Sequence, residues 1–236
     1  MEKIKGVLNN IYGGKVLDVG TGRGEFIDLL KENLKDYTEI IGIDMNDIAL
    51  EKAKERFKDE NIDFIKMDAE NLKFENNTFD IVSLSNSIHH LPNMQKVLNE
   101  MKRVLKPGGY FLLQEMFCDN QNENQLTHVY FHHFNAEIQT LTGGYHNKTL
   151  KKQEILDIGN SLTLENLIYF ECIYEEDNPM SDEKLKSMIK AVDESVYKTK
   201  NFPQYESYKK QGQIIKERLS NIGMSSATEL FIMGNK

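Results

Sequence analysis

A run of glycines follows a short apolar segment near the start of the chain. The segment Val16–Val19 contains Asp18, and Gly20-Thr21-Gly22-Arg23-Gly24 comes directly after it. Glycine lets the backbone approach a ligand where a Cβ atom would obstruct it. The spacing is G-x-G-x-G rather than the G-x-G-x-x-G of dinucleotide oxidoreductases, and the Asp18 carboxylate would repel a pyrophosphate. The pattern therefore predicts a loop that receives a ligand with cationic or amine groups.

Two further acidic residues each follow an apolar run. Asp44 ends the run Ile41-Gly42-Ile43, and a carboxylate at this position can accept hydrogen bonds from both hydroxyls of a ribose. Asp68, followed by Ala69, comes after the next apolar segment, where it or its backbone neighbour could bond the exocyclic amine of adenine. Either acid could instead be an ordinary turn residue.

Candidate catalytic groups lie at the ends of two later apolar segments. His89, next to His90, follows the segment Phe79–Leu84, and Glu115 lies at the end of the segment Tyr110–Met116. A histidine or a carboxylate at the carboxyl edge of a sheet can exchange a proton with a substrate. The His89-His90 pair could also be a structural cap for the next helix.

A helix predicted over Leu126–Leu141 carries a second set of candidates. His133 and Glu137, four residues apart, lie beside Tyr130, and such a group could orient a substrate or accept its proton. The alternative is an ordinary ion pair on the helix surface. One face of this helix is expected to share five apolar side chains: Leu126, Tyr130, Phe134, Ile138 and Leu141.

Two other histidines of the same helix have the spacing of metal ligands. His128 and His132 are four residues apart and point to the polar side of the helix. Because no third ligand is evident, we expect no metal site.

Composition excludes several classes of partner. The 236 residues carry a net charge of −8 and only four arginines, all scattered, which disfavours binding to nucleic acid or to anionic lipid. Two cysteines are too few for a disulfide scaffold, and the first residues form no apolar signal segment. We therefore expect a cytoplasmic protein.

The elements that position these residues alternate between strands and helices. Apolar runs predict strands at 16–19, 40–43, 62–65, 79–84, 110–116, 162–174 and 227–233. Amphipathic segments predict helices at 24–34, 49–57, 94–105, 126–141, 149–160, 181–199 and 204–221. The regular alternation ends after about residue 116, and the terminal strand is expected to return to the main sheet.

Five motifs in series resemble the class I S-adenosylmethionine-dependent methyltransferases, in particular the small-molecule branch that includes quinone-methylating enzymes. They are the glycine loop, the acids Asp44 and Asp68, the segment 79–91, and Lys106-Pro107-Gly108-Gly109. The resemblance covers about residues 12–117. It implies an α/β fold: a Rossmann-like, doubly wound, seven-stranded sheet whose last strand is antiparallel, with a helical cap insertion.

The resemblance also implies roles for individual residues. The glycine loop would hold the methionine end of the cofactor, Asp44 the ribose, and Asp68 with Ala69 the adenine. Met45 would pack on the adenine ring. Ser85 and Asn86 would border the sulfonium and the substrate. The residues that would hold the methionine end of the cofactor are Asp18, Gly20, Thr21, Gly22 and Gly24.

These observations predict one methyltransferase domain over residues 1–236. Its core would be 12–118, 161–177 and 223–234, and its helical cap 119–160 and 178–222. The predicted reaction is an in-line displacement at the sulfonium methyl of S-adenosyl-L-methionine by a small-molecule acceptor, which releases S-adenosyl-L-homocysteine. The expected state is a monomer or homodimer without integral membrane contact.

Three alternatives stay open. A quinone C-methyltransferase is the runner-up within the enzyme class. A non-catalytic S-adenosylmethionine-binding protein has the same sequence pattern. A nicotinamide oxidoreductase shares the order of strand, glycine loop and acid, although the glycine spacing and Asp18 oppose it.

Overall fold

The computed structural model describes residues 2–174 and 180–236. The strands are β1 (Lys15–Val19), β2 (Glu39–Asp44), β3 (Ile62–Lys66), β4 (Phe79–Ser85), β5 (Leu105–Met116), β6 (Glu165–Cys172) and β7 (Glu229–Asn235). The α-helices are α1 (Glu2–Leu8), α2 (Glu25–Asn33), α3 (Asp47–Arg56), α4 (Met94–Val104), α5 (Glu123–Leu141), α6 (Lys152–Ser161), α7 (Asp182–Lys198) and α8 (Tyr205–Asn221). A 3₁₀ turn spans Ile88–His90.

The seven strands form one sheet in the order β3-β2-β1-β4-β5-β7-β6. Strands β1 to β5 pair in parallel with their neighbours. Strand β7 runs antiparallel to β5, since Gly108 N donates to Lys236 O at 2.8 Å and Phe117 N donates to Thr228 O at 3.5 Å. The expected α/β sheet with an antiparallel last strand is therefore confirmed.

The central strands are buried on both faces, which explains their continuous apolar runs. Strand β1 pairs with β2 on one side and with β4 on the other, so the strand order reverses direction beside β1. Ligands of open α/β sheets bind at such a switch point, outside the carboxyl ends of the strands. The residues that follow β1, β2 and β4 therefore lie where a ligand of this fold is expected to bind.

Strand β5 begins five residues earlier than the sequence predicts, at Leu105 rather than Tyr110. Pro107-Gly108-Gly109 was expected to separate a helix from this strand, but the three residues lie inside it. Gly108 has a φ of 76°, and a Cβ atom at Gly109 would meet the carbonyl oxygen of Asp80 at 2.8 Å. The pairing of β4 with β5 shifts register between Phe79 and Ile81 to accommodate the glycines.

The chain divides into two compact units. The sheet unit takes the chain up to Glu115, Ile155–Cys172 and Leu230–Lys236. The helical unit takes the described residues of Met116–Glu154 and Ile173–Glu229. The core and cap boundaries expected from the sequence stay predictions, and the one between 177 and 178 lies outside the described residues.

Each unit has its own apolar core. In the sheet unit, Phe26, Ile27 and Leu30 of α2 pack with Leu50 and Ala53 of α3. The core of the helical unit joins α5, α7 and α8 and contains Phe134, Ile138, Val192, Ile215, Leu219 and Met224. None of the helices in the described part of the chain is long and apolar enough to cross a bilayer.

Candidate functional site

The glycine loop turns the chain from β1 into α2. Gly20, Gly22 and Gly24 have φ angles of 66°, 56° and 82°, which residues with a side chain rarely adopt. A Cβ atom at Gly20 would meet the Ser87 hydroxyl at 2.7 Å, whereas at Gly22 the nearest atom would be Oε2 of Glu25 at 3.8 Å. Gly20 is therefore required by close packing against Ser87, and Gly22 leaves open space at the turn.

Asp44 holds this turn in place. Its Oδ2 atom accepts a hydrogen bond from Gly22 N at 2.9 Å, and its Oδ1 atom accepts one from Asn46 N at 2.8 Å. Asn46 in turn caps α3 by accepting from the backbone of Ile48 and Ala49. Each carboxylate oxygen accepts up to two hydrogen bonds, so Asp44 keeps acceptor capacity for a ligand.

Asp18, at the end of β1, is a buried carboxyl group with one unsatisfied oxygen. The Ser83 hydroxyl donates to Asp18 Oδ1 at 2.7 Å, and Oδ2 has no hydrogen-bond partner within residues 2–174 and 180–236. Burial raises the pKa of Asp18 to about 6 against the opposing effect of the Ser83 hydrogen bond. The Thr21 hydroxyl also lowers this pKa, although its oxygen meets no hydrogen-bond criterion with any described residue.

A cavity of about 380 Å³ lies at the carboxyl ends of β1, β2 and β4. Seven of the predicted cofactor residues line it: Asp18, Gly20, Thr21, Gly22, Asp44, Ser85 and Asn86. Four other lining residues, Glu25, Phe26, Ser87 and His90, were not predicted. Ser83, which donates to Asp18, is a polar residue inside the apolar strand β4, and this is the signal that could have identified it.

Four predicted cofactor residues lie outside the set that lines this cavity. A Cβ atom at Gly24 would clash with the Phe57 ring, so Gly24 is a packing requirement between α2 and α3. Asp68 accepts from Glu70 N at 2.9 Å in a local turn, and Ala69 follows it within that turn. Met45 is 58% exposed. Their predicted contacts to adenine stay predictions.

His89 and Glu115, which the sequence named separately, contact each other. Nδ1 of His89 lies 2.8 Å from Oε1 of Glu115, and Oε2 of Glu115 accepts from Ile88 N at 2.9 Å. Because the carboxylate accepts, Nδ1 carries the hydrogen, and Nε2 is the basic nitrogen of the neutral ring. The pair resembles the second half of a catalytic triad, in which an acid fixes the tautomer of a histidine.

Tyr130 is the most exposed of the five apolar residues that were expected to share one face of α5. Its side chain is 45% exposed, and the Arg218 guanidinium lies 4.9 Å from the ring centroid. The buried apolar positions of this helix include Val129 as well as Phe134 and Ile138. Val129 packs in a separate small cluster, so α5 also has apolar contacts outside the expected face.

His133 and Glu137 have different partners. The Thr149 backbone N–H donates to Nε2 of His133 at 3.2 Å, and the Thr149 hydroxyl lies 2.8 Å from the same nitrogen. Glu137 forms an ion pair with Lys148 at 2.7 Å. These contacts attach the segment after α5 to the helix, and a role of His133 or Tyr130 in catalysis stays a prediction.

His128 and His132, which are four residues apart on α5, also have different partners. Nδ1 of His128 accepts from Ala227 N at 3.0 Å. Nε2 of His132 lies 3.0 Å from Nε2 of His146, in the segment after α5.

Known proteins are similar to part of this chain. At 37% identity over 109 residues, 46% of this chain and 47% of the relative, it is similar to a demethylmenaquinone methyltransferase from Staphylococcus saprophyticus subsp. saprophyticus. At 34% identity over 114 residues, 48% of this chain and 41% of the relative, it is similar to a phthiotriol/phenolphthiotriol dimycocerosates methyltransferase from Mycobacterium tuberculosis. The match therefore spans less than half the length of these curated relatives.

A solved structure shares the fold. Phosphoethanolamine N-methyltransferase 2 from Haemonchus contortus, in complex with S-adenosyl-L-methionine, superposes with a TM-score of 0.57 and 19% identity over 100% of this chain and 52% of that one. The family model described as a methyltransferase domain matches residues 17–113, which contain the glycine loop, Asp44 and every residue of the cavity. Residues 17–113 of this chain are therefore similar to methyltransferase domains.

Proposed function

We propose that this protein transfers the methyl group of S-adenosyl-L-methionine to a small-molecule acceptor. The observation that carries the proposal is the unsatisfied Oδ2 atom of Asp18 beside a glycine turn, at the edge of a cavity where a strand order reverses. The match of residues 17–113 to the family model of a methyltransferase domain supports it.

The residues of the cavity fit the cofactor chemically. An ammonium group is the partner that a buried carboxylate with an unsatisfied oxygen requires, and the methionine part of the cofactor carries one. Asp44 retains acceptor capacity for the two ribose hydroxyls. The open side of Gly22 allows the backbone to approach the ligand closely.

When bound, the cofactor supplies an electrophilic methyl group on a positively charged sulfur. The protein has to align an acceptor with this group and exclude water, which can lower a barrier by about 7–11 kcal/mol. Ser85, Asn86 and Ser87, at the carboxyl end of β4, line the cavity and are the residues proposed to border the transferred group. The His89–Glu115 pair is the proposed base for an acceptor that starts protonated.

Calorimetric titration tests the binding half of this proposal. Wild-type protein should bind S-adenosyl-L-methionine and S-adenosyl-L-homocysteine, and Asp18→Asn should bind both more weakly. NAD should give no heat of binding. Binding of NAD alone would favour the oxidoreductase alternative and overturn the assignment.

An acceptor panel read out by release of S-adenosyl-L-homocysteine tests the catalytic half. Release that depends on one class of small molecule supports the transferase. Tight cofactor binding with no release across the panel would favour the non-catalytic binding protein. The net charge of −8 leads us to expect neutral or cationic acceptors.

A quinone acceptor is the second candidate, because the demethylmenaquinone methyltransferase relative matches at 37% identity. The dimycocerosate methyltransferase relative matches almost as well, so similarity to either does not select the acceptor. Turnover of a demethylated quinone in detergent, compared with small polar amines, distinguishes the two classes. The expected cytoplasmic location and the monomer or homodimer state stay predictions.

A further inference from the structure

Two histidines of the helical unit face each other through their ring nitrogens. His132 lies in the middle of α5, and His146 lies in the segment that folds back along this helix. Their Nε2 atoms are 3.0 Å apart, and the ring planes cross at 79°. His146 is buried.

The position and the tautomer of His146 are both fixed by α5. Oε1 of Gln139 lies 2.9 Å from Nδ1 of His146, and the Thr140 hydroxyl donates to the His146 backbone oxygen at 2.9 Å. An amide oxygen only accepts hydrogen bonds, so Nδ1 of His146 carries the ring hydrogen. The lone pair of His146 Nε2 therefore points towards Nε2 of His132.

Two imidazole nitrogens arranged in this way can share either a hydrogen atom or a metal ion. With metal–nitrogen distances of ~2.0–2.1 Å, two ligands lie about 2.9 Å apart at a right angle and about 3.3 Å apart at the tetrahedral angle. The observed 3.0 Å falls within this range. Histidines that bind metals also commonly donate their second ring N–H to an oxygen, as His146 does to Gln139.

We propose that His132 and His146 bind a divalent first-row transition metal ion of the type that prefers imidazole, such as zinc or copper. Gln139 is the positioning residue that presents Nε2 of His146 to the ion. His132 contributes its Nε2 lone pair from the tautomer with its hydrogen on Nδ1. This proposal differs from the sequence-based expectation of no metal site, which considered only His128 and His132, because the second ligand would come from the segment after the helix. The proposal is independent of the methyltransferase assignment.

Equilibrium dialysis of chelator-treated protein against Zn²⁺ tests the site. Wild-type protein should take up one equivalent, and His132→Asn and His146→Asn should each lose this uptake. Asparagine at 146 keeps an N–H donor for Gln139. The matched control is His128→Asn, which removes a histidine from the same helix while keeping an acceptor for Ala227 N. The control should bind as wild type does.

A second variant and a spectroscopic probe keep the test decisive if a histidine variant folds poorly. Gln139→Leu leaves both ligands in place and should weaken Zn²⁺ binding about 10- to 100-fold. Electron paramagnetic resonance of bound Cu²⁺ should show two nitrogen ligands in wild type and one in each folded histidine variant. Unchanged affinity in Gln139→Leu, or the absence of one-equivalent uptake by wild type, would overturn the site.

Discussion

Nδ1 of His89 lies 2.8 Å from Oε1 of Glu115, and both side chains are at least 98% buried. The other oxygen of Glu115 accepts from the backbone of Ile88. One carboxylate thus holds the 3₁₀ turn after β4 and fixes the hydrogen of the histidine. The contribution of Glu115 to stability and the contribution of His89 to turnover can be measured separately.

Glu115→Ala should destabilise the protein. The substitution leaves two buried donors without an acceptor, the Ile88 N–H and the His89 Nδ1–H, and each costs about 1–3 kcal/mol. We expect the free energy of unfolding in urea to fall by about 2–6 kcal/mol. Glu60→Ala, which removes an ion pair with Lys31 near the surface, should change it by less than about 1 kcal/mol. Equal losses in the two variants would contradict the assigned role.

His89→Asn tests the contribution of His89 to turnover. Asparagine keeps an N–H donor for Glu115 and lacks the basic ring nitrogen. If His89 is a general base, turnover of a protonated acceptor should fall about 10²- to 10⁴-fold, while cofactor affinity and unfolding temperature stay close to wild type. Undiminished turnover of such an acceptor would remove His89 from the mechanism.

Asp44→Ala should weaken cofactor binding. The variant loses acceptors for the ribose hydroxyls and also the contact that holds Gly22 N. A hydrogen bond to a charged group contributes about 1.5–3 kcal/mol, so we expect affinity in calorimetry to fall by at least about tenfold. Asp63→Ala, an exposed acid on β3, is the control and should bind normally. Unchanged affinity in Asp44→Ala would refute the ribose assignment.

The raised pKa of Asp18 predicts how stability depends on pH. Between its ordinary value of 3.8 and about 6, the folded protein binds more protons at this site than the unfolded chain. The contribution of Asp18 to stability is therefore present at low pH and is lost as the pH rises through this window. Relative to wild type, Asp18→Asn should gain about 2 kcal/mol of unfolding free energy between pH 4 and pH 7. Urea melts of the two proteins at each pH measure this difference, and a constant difference would contradict the prediction.

Two glycines of one loop should respond differently to alanine. Gly24→Ala combines a strained φ of 82° with a clash against the Phe57 ring, so we expect a clear drop in unfolding temperature. Gly22→Ala adds strain of about 1–2 kcal/mol but meets open space, so its main effect should be on cofactor affinity. Thermal melts without cofactor separate the two variants. A larger drop for Gly22→Ala would reverse the assignment.

The sequence predicted the seven strands because both local patterns and the order of elements favour them. Ile40–Ile43 and Phe79–Leu84 are nearly continuous apolar runs, as expected for strands buried on both faces. It missed α1, whose seven residues include only two buried ones and so lack a strong periodic signal. The sequence also predicted a turn at Pro107-Gly108-Gly109, whereas these residues lie inside β5. Local glycine signals do not distinguish a turn from an irregular strand.

The sequence predicted those residues of the candidate site that belong to local motifs. Asp18 and Asp44 could be predicted from the apolar strands and the glycine loop beside them, and both line the cavity. The contact between His89 and Glu115 joins residues that are 26 positions apart, and only the pairing of β4 with β5 brings them together. The exposure of Tyr130 could not be predicted, because helical periodicity gives a face but not which of its residues other elements cover.

The position of β7 has a consequence for synthesis of the chain on the ribosome. This strand lies between β5 and β6 in the sheet, although it follows both of them in the chain. Until it is translated, β5 has an open edge and β6 has no neighbour. Unpaired edges recruit other chains, and pairing over long sequence separations is slow. A nascent chain that stalls before residue 229 therefore exposes an unpaired strand edge, to which chaperones or other copies of the chain can bind.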